Sequence, residues 1–325
     1  MSVWPVTMAD VLSARRRIAP HLERSPLRRY VPLDEAVGEG ISVFVKHENH
    51  LPTNAFKVRN RLSVLGAFTA DERRAGAIAA TRGNHGQGLA WAGSLLGVPV
   101  TVCVPVGNNP EKNAAIRGFG AALVEQGRDY DESVEVAARL SRERGLRVVH
   151  STNDRLVVAG AATLTLEMLE QEPEIEAIVY SVGGGSQAVG GMVVARALRP
   201  SLPVYGVQAA GAAAAHDSWH AGKRLTTARA DTIADGLATR STYETTFGAL
   251  REGLAGFVAV SEGEIAEAIR VLLSTTHNLA EGAGAAGLAG LFRLRRELAG
   301  RKVGIVLSGG NIDRETLGRV LAGSF

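Results

Sequence analysis

The sequence predicts an α/β fold in which parallel β-sheets are covered by helices on both faces. Short, nearly all-apolar runs alternate with longer helical patterns along most of the 325 residues. This alternation is typical of βαβ units, whose strands are buried on both sides and therefore lack a polar face. There are enough such units for two sheets, which indicates two α/β domains.

The elements follow from these apolar runs and from the glycine and proline residues that separate them. The predicted strands lie at 41–46, 77–81, 99–104, 121–125, 146–150, 175–182, 204–208, 257–260 and 303–307. The predicted helices lie at 11–18, 61–68, 85–96, 110–119, 130–144, from 154 to 170, from the glycine-rich turn to 198, at 262–276, at 284–298 and from 313 onward. The segment 209–255 is rich in Ala, Gly and Thr, and we expect it to be less regular.

Composition excludes several classes of protein. The net charge is only +3 and no Lys/Arg-rich block is present, so nucleic-acid binding has little support. The single cysteine, Cys103, excludes an internal disulfide and a multi-cysteine zinc site, and it fits a reducing cytoplasm. The segment 1–5 lacks the pattern of a secretion signal, and no apolar run is long enough to span a membrane.

A lysine follows the first long strand in an unusual setting. Pro52, Thr53 and Asn54 predict a turn and a helix N-cap, which places Lys57 in the first turn of a helix between two apolar residues. Apolar surroundings lower the pKa of an amine, as a lysine that reacts with carbonyl groups requires. The alternative is a surface lysine whose stem covers apolar neighbours.

Two later strand ends carry glycine-rich turns. The segment 80–88, which contains Thr81, Arg82, Asn84 and His85, combines three glycines with polar side chains before a helix, and this suits an anionic group. The segment Gly183-Gly184-Gly185-Ser186 lets backbone amides converge on a phosphate at the start of the next helix.

The second turn also fits the dinucleotide pattern G-x-G-x-x-A through Gly183, Gly185 and Ala188. A dinucleotide site requires an acidic residue after the following strand, where this chain has Gln208. The missing acid counts against NAD and favours a phosphate monoester. A fourth strand end carries Ser308, whose neutral hydroxyl could bond to a ring nitrogen, although a helix-capping turn is the alternative.

The order of these segments resembles the fold-type II pyridoxal-phosphate (PLP) enzymes, and among them the threonine/serine dehydratase and serine racemase group. The segments 232–238 and 281–285 are similar to two further segments of that group, and the resemblance covers nearly the whole chain. It implies a tryptophan synthase β-subunit-like fold, with the cofactor PLP in the cleft between two parallel-sheet domains.

The resemblance also implies roles for individual residues. Lys57 would hold the cofactor covalently and remove the α-proton of the substrate. The implied cofactor-binding residues are Phe56, Lys57, Asn84, Gly183, Gly184, Gly185, Ser186, Gly236, Glu281 and Ser308, and the implied substrate-binding residues are Thr81, Asn84 and His85. The implied activity is α,β-elimination from threonine, serine or a 3-hydroxyaspartate-type substrate, which gives a 2-oxo acid and ammonia.

This chain departs from the group's pattern at several positions. Asn54-Ala55 replaces the usual Gly-Ser or Gly-Ala before Phe56, but Asn tolerates left-handed backbone angles. The fourth residue of the phosphate turn is Ser186 rather than glycine. Arg82 stands where racemases of the group carry a serine, so we expect weak or no racemisation. We also expect Arg82 to reach the substrate and to favour an acidic or larger β-substituent.

The metal site of many relatives is not expected here. The segment 208–215, where their carboxylates would lie, contains none. The pair His216 and His220 has the spacing of a zinc-protease motif, but Asp217 is shorter than the required Glu and no third ligand is evident. We therefore expect no metal.

The resemblance further implies a large PLP-binding domain of residues 1–52 plus 150–325 and a small mobile domain of residues 53–149. We expect a cytoplasmic homodimer. Because the sequence stops shortly after Asn311, we expect no C-terminal regulatory domain and a catabolic role. The alternatives are a β-replacement synthase or racemase on the same scaffold and, more distantly, a dinucleotide-binding protein.

Overall fold

The computed structural model describes residues 3–325, and this range contains two sheets. The strands are β1 Leu27–Arg29, β2 Ser42–His47, β3 Ala77–Ala80, β4 Val100–Val104, β5 Ala122–Glu125, β6 Arg147–Val148, β7 Ala177–Ser181, β8 Val204–Ala209, β9 Gly256–Val260 and β10 Lys302–Leu307. The larger sheet has the order β1-β2-β10-β7-β8-β9 and the smaller has the order β5-β4-β3-β6. Strand β1 is antiparallel to β2, and the other strand pairs are parallel.

Helices cover both sheets. They are α1 Met8–Ile18, α2 Val31–Val37, α3 Lys57–Leu65, α4 Ala70–Ala75, α5 Asn84–Leu96, α6 Pro110–Gly118, α7 Tyr130–Arg144, α8 Arg155–Gln171, α9 Ser186–Leu198, α10 Ala214–Ala221, α11 Glu244–Gly253, α12 Glu262–Thr276, α13 Gly282–Leu294 and α14 Arg314–Leu321. Strands β7 and β10 are almost completely buried because they lie in the middle of the larger sheet. None of the helices described in residues 3–325 has both the length and the apolarity required to cross a membrane.

The predicted strands are present with small shifts in their ends, and the predicted α/β class is confirmed. Several short elements were not predicted. Strand β1 is a three-residue edge strand with two arginines, and α2 contains a proline in its first turn, so neither has a clear apolar period. The segment 209–255 is more regular than expected, because it contains α10 and α11.

The predicted N-cap before Lys57 is wrong. Asn54 has a positive φ of 51°, as its tolerance of left-handed angles allows, and Phe56 is the N-cap residue without a side-chain capping bond. The reason is a contact with the end of β10: Ala55 forms a bridge with Gly309, and the Phe56 amide donates to the Ser308 carbonyl at 3.0 Å. Helix α3 starts at Lys57, so the prediction that Lys57 lies in the first turn of a helix is confirmed, and the helix begins four residues before the predicted helical pattern at 61–68.

Helix α3 packs closely against α8. A Cβ atom at Gly160 of α8 would lie 2.8 to 2.9 Å from atoms of Arg59, Asn60 and Ser63, so the two backbones approach each other because position 160 is glycine. Burial of α3 on all sides fixes the direction in which its first residue, Lys57, projects.

A buried network of ion pairs holds helix α3 in place. The Arg59 guanidinium donates to Glu48 at 2.7 Å and to Glu167 at 2.7 Å, and the Lys46 ammonium donates to Glu167 at 2.9 Å. The Arg59, Glu48 and Lys46 side chains have no solvent exposure. Two cations and two carboxylates balance one another, so the network joins β2, α3 and α8 without a net buried charge.

The two histidines of α10 have other partners. His216 contacts Asp217 at 2.9 Å, and His220 Nε2 lies 3.2 Å from the Phe257 carbonyl oxygen. Within residues 3–325, no cluster of three or more His, Cys, Asp or Glu side chains could hold a metal ion.

Candidate active site

One cavity of about 760 Å³ brings together all the site residues that the sequence predicts. It lies at the carboxyl ends of β3, β7 and β10, where ligands bind in parallel α/β sheets. The predicted residues in its wall are Phe56, Lys57, Thr81, Arg82, Asn84, His85, Gly183, Gly184, Gly185, Ser186, Gly236, Glu281 and Ser308.

Lys57 places an amine in the wall of the cavity. The bridge between Ala55 and Gly309 positions it at the start of α3, and its Nζ lies 4.7 Å from the centroid of the Phe56 ring. Desolvation by burial and the nearby Arg61 charge lower the pKa of Lys57 to about 7, although Glu281 opposes this shift. A substantial fraction of the amine is therefore neutral and nucleophilic near pH 7.

The glycine turn 183–185 lines the cavity with backbone atoms alone. A Cβ atom at Gly183 would lie within 3.0 Å of the Gly236 carbonyl oxygen, and one at Gly184 within 3.0 Å of the Thr152 hydroxyl. Gly185 has a φ of 91°, which only glycine adopts without strain. The turn leads directly into α9 at Ser186, so its amides and the positive end of the helix dipole meet at one point.

Asn84 connects the two sides of the cavity. Its Nδ2 donates to Glu281 Oε1 at 2.6 Å, and its Oδ1 accepts a bond from Asn311 at 2.8 Å. Because a side-chain amide has two N–H donors, one remains available for a ligand oxygen. Burial raises the pKa of Glu281 to about 7, whereas Lys112, the bond from Asn84 and Lys57 oppose the rise and Asp235 adds to it.

Backbone groups bind the remaining polar side chains of the cavity wall. The Ser308 hydroxyl is buried and donates to the Ala283 carbonyl at 3.3 Å. The Thr81 hydroxyl accepts from the Gly83 amide at 3.1 Å, and His85 Nε2 lies 3.0 Å from the Val149 carbonyl. Burial, reinforced by the charges of Arg61 and Lys57, lowers the pKa of His85 well below its usual value, so this ring is neutral.

Some cationic side chains of the cavity wall are paired with carboxylates, and others are not. Lys112 pairs with Asp235, and Arg240 pairs with Asp131. The guanidinium groups of Arg82 and Arg229, by contrast, make no hydrogen bond or ion pair with any residue in the range 3–325. Arg82 is exposed and lies close enough to Tyr130 to lower the pKa of that phenol, although burial raises that pKa to about 12 overall.

Sequence reasoning missed several wall residues. Thr152 and Tyr243 border the glycine turn, Ser151 lies elsewhere in the wall, and the Ser181 hydroxyl is buried in the wall without a partner among the described residues. Ser151 follows a predicted strand and Ser181 is the second-last residue of another, which is a usable signal because strand ends form the site. Tyr243 lies in the segment that was expected to be irregular, and no signal pointed to it.

The chain is similar to known proteins over nearly its whole length. The family described as "Pyridoxal-phosphate dependent enzyme" matches residues 18–309. The L-threonine ammonia-lyase of Thermotoga maritima is 34% identical over 97% of this chain and 78% of its own length. The L-threo-3-hydroxyaspartate ammonia-lyase of a Pseudomonas species is 32% identical over 97% of this chain and 98% of its own length. The crystal structure of a PLP-dependent aspartate racemase has a TM-score of 0.90 and 31% identity, and the match covers 98% of this chain and 99% of that one.

The chain belongs to the pyridoxal-phosphate dependent enzyme family, in the fold-type II group of ammonia-lyases and amino-acid racemases. The predicted fold type, cofactor and class of enzyme are thereby confirmed, and the cofactor is pyridoxal 5′-phosphate. The residues present fit this group: a partly neutral lysine amine suits its aldehyde, and a turn of glycines whose side chains would collide with the wall suits its phosphate.

Proposed function

We propose that this enzyme converts a 3-hydroxy amino acid to a 2-oxo acid and ammonia by α,β-elimination. The observation that carries the proposal is the Lys57 amine, which lies in the cavity wall with a pKa lowered to about 7. A neutral amine is required both to attach an aldehyde cofactor and to accept a proton from substrate. The similar proteins of Thermotoga maritima and Pseudomonas support the reaction because both are named ammonia-lyases.

Each predicted residue has a role in this proposal. Bound PLP supplies an electron sink for the pair that the α-proton leaves behind. The amides of residues 183–186 would bind the phosphate, the Ser308 hydroxyl would meet the ring nitrogen, and the free N–H of Asn84 would bind the 3′-oxygen. Phe56, Gly236 and Glu281 would border the ring.

The same wall orients the substrate. Thr81, Asn84 and His85 bind its α-carboxylate, and Lys57 Nζ takes the proton from its α-carbon. The β-hydroxyl leaves, and this hydroxyl and the α-proton together account for one molecule of water. The enamine that remains takes up water and releases ammonia, which leaves a 2-oxo acid.

The unpaired arginines support a substrate with a second carboxylate. Arg82 and Arg229 lie in the cavity wall, whereas the other two cations there besides Lys57 are already paired. A guanidinium without a partner is well suited to bind a carboxylate through two parallel bonds. We therefore propose a 3-hydroxyaspartate-type substrate ahead of threonine and serine, and Arg82 as the residue that selects it.

Two other reactions on this scaffold remain open. The 31% identity to an aspartate racemase favours racemisation as the second candidate. Racemisation requires a proton donor on the side of the substrate opposite Lys57, and Arg82, which does not give up its proton, occupies the position where that donor is expected. A β-replacement synthase would differ only in the nucleophile that adds to the enamine.

The test supplies PLP-loaded enzyme with serine, threonine and threo- and erythro-3-hydroxyaspartate. Formation of 2-oxo acid and ammonia in equal amounts, lost in Lys57→Ala, is the expected result. Chiral analysis of the remaining substrate detects racemisation, and added thiols detect β-replacement. Racemised substrate without oxo acid would overturn the elimination and leave the cofactor assignment intact.

We further propose a cytoplasmic homodimer in which residues 53–149 form a small mobile domain. Residues 1–52 plus 150–325 form the large domain. The separate sheets support this division, because β3 to β6 lie in the smaller sheet and the other strands in the larger. Light scattering at two protein concentrations tests the dimer.

A further inference from the structure

Helix α3 carries two buried arginines whose surroundings are opposite. The Arg59 guanidinium is paired with two carboxylates, as described above. The Arg61 guanidinium is equally buried, with no solvent exposure, but it donates only to backbone carbonyls, to His150 at 2.8 Å and to Ser151 at 3.1 Å. Its Nε has no hydrogen-bond partner in the described structure. A buried cation without a carboxylate hydrogen-bonded to it is unfavourable for folding, which indicates another role for it.

The position of Arg61 connects Lys57 to the phosphate turn. Lys57 and Arg61 are four residues apart on α3, so their side chains lie on the same face of the helix. The carbonyls that Arg61 holds belong to the loop that follows β6. That loop continues to Thr152, whose hydroxyl lies directly against Gly184.

We propose that Arg61 is a positioning residue that places a fixed positive charge behind Lys57 and ties α3 to the loop that supports the glycine turn. Arg61 does not line the cavity, so it acts through Lys57 and through residues 150–152. Nothing else in this arrangement requires an arginine, because a neutral side chain with one N–H could satisfy a carbonyl without burying a charge.

The electrostatics of the neighbours agree with this role. Arg61 is the second largest cause, after desolvation, of the lowered pKa of Lys57, of His85 and of His150. Burial lowers the pKa of Arg61 itself to about 9, although the Asp154 carboxylate opposes this shift, so the guanidinium still carries its charge at pH 7. Glu281, at the start of α13, is the group that opposes Arg61 at Lys57. Arg61 thus raises the neutral fraction of the Lys57 amine at pH 7, while its own guanidinium stays charged.

The test compares Arg61→Gln, which removes the charge and keeps a donor, with Arg61→Lys, which keeps a charge and loses the planar fork. In the full chain freed of PLP, the rate at which an amine-directed reagent modifies Lys57 is followed against pH by peptide mass spectrometry. Removal of a nearby cation raises the pKa of an ammonium group. If this rise is about one pKa unit, the neutral fraction at pH 7 falls from about one half to about one tenth, and the rate falls about fivefold.

The expected result is this fivefold loss in Arg61→Gln, with equal rates for both proteins above pH 10 or so. Arg61→Lys should remain within about twofold of the original rate, and Arg319→Gln, at an exposed position of α14, should have no effect. In the PLP-loaded protein, the pH at which the visible absorbance of the Lys57-bound cofactor changes should rise in Arg61→Gln.

Two outcomes would overturn the proposal. One is an unchanged pH profile in Arg61→Gln, and the other is an equal shift in Arg61→Gln and Arg61→Lys, which would make the tether rather than the charge responsible. Circular dichroism establishes that the variants are folded. The rate at which the reagent modifies Lys57 is measured without substrate. Its outcome therefore tests the role of Arg61 even if the proposed elimination is wrong.

Discussion

The side-chain amide of Asn84 donates a hydrogen bond of 2.6 Å to Oε1 of Glu281. This bond joins the first residue of α5 to the N-cap residue of α13. Helix α5 follows strand β3 of the smaller sheet, whereas α13 packs on the larger sheet. It therefore spans the cavity in which Lys57 lies. Glu281 has a pKa raised to about 7 by burial, so its protonation state changes near neutral pH.

Glu281 should make stability depend on pH. Its pKa is higher in the folded chain than the usual 4.5, so between pH 4.5 and 7 the folded state holds a proton that the unfolded state has lost. Stability from this group therefore falls as the pH rises through that interval and is constant above it. In Glu281→Gln without cofactor, the free energy of unfolding relative to the original protein should increase by about 2 kcal/mol between pH 5 and pH 7.

Urea denaturation at both pH values measures this change. Glu315→Gln, at an exposed position of α14, serves as the control and should follow the original protein. An equal difference between Glu281→Gln and the original protein at pH 5 and pH 7 would contradict the raised pKa.

Gly183→Ala should weaken PLP binding by about tenfold or more. The added methyl group would lie within 3.0 Å of the Gly236 carbonyl oxygen, and such overpacking typically costs about 1–3 kcal/mol. Titration of the cofactor-free chain with PLP, followed by absorbance, measures the affinity. Gly118→Ala, where the added methyl group meets nothing within 4 Å, should bind PLP normally. Normal affinity in Gly183→Ala would mean that the phosphate binds elsewhere.

Arg82→Ser should change substrate preference rather than activity in general. Loss of a charge-assisted bond to a second carboxylate should lower kcat/KM for 3-hydroxyaspartate about tenfold relative to serine. The measurement is the ratio of the two kcat/KM values in the original protein, in Arg82→Ser and in Arg229→Ser. If only Arg229→Ser lowers the ratio, the selecting residue is Arg229, and if neither variant does, the cavity has no subsite for the second carboxylate at these arginines.

Glu167→Gln should destabilise the fold by about 3 kcal/mol, because it leaves Arg59 and Lys46 with one carboxylate instead of two in a buried network. The matched control is Glu170→Gln on the same helix. Glu170 pairs with Arg15 and Arg24 at the surface, where such pairs contribute about 0–1 kcal/mol. Equal losses in urea denaturation at pH 7 would show that burial of the network is unimportant for stability.

The parts of the fold and site that could be predicted are those with a local signal. Apolar strands and the glycine turns after them are continuous in sequence, so β7 with residues 183–186 and β10 with Ser308 could be recognised. The start of α3 could not, because it depends on pairing between Ala55 and Gly309, which are far apart in the chain. The burial of Arg61 likewise depends on the loop after β6, whose carbonyls it binds, and nothing in the sequence distinguishes it from a surface arginine.

The proposed function depends on the attachment of PLP to Lys57, and reduction of the PLP-loaded enzyme with borohydride detects this attachment. This treatment makes the bond between cofactor and lysine permanent, and the chain has only five lysines, so trypsin digestion and mass spectrometry can examine each one. We expect the added mass on the peptide of residues 47–59, in which cleavage after the modified Lys57 is blocked. The added mass on a peptide that carries Lys46, Lys112, Lys223 or Lys302 instead, with residues 47–57 unmodified, would show that PLP is attached to another lysine.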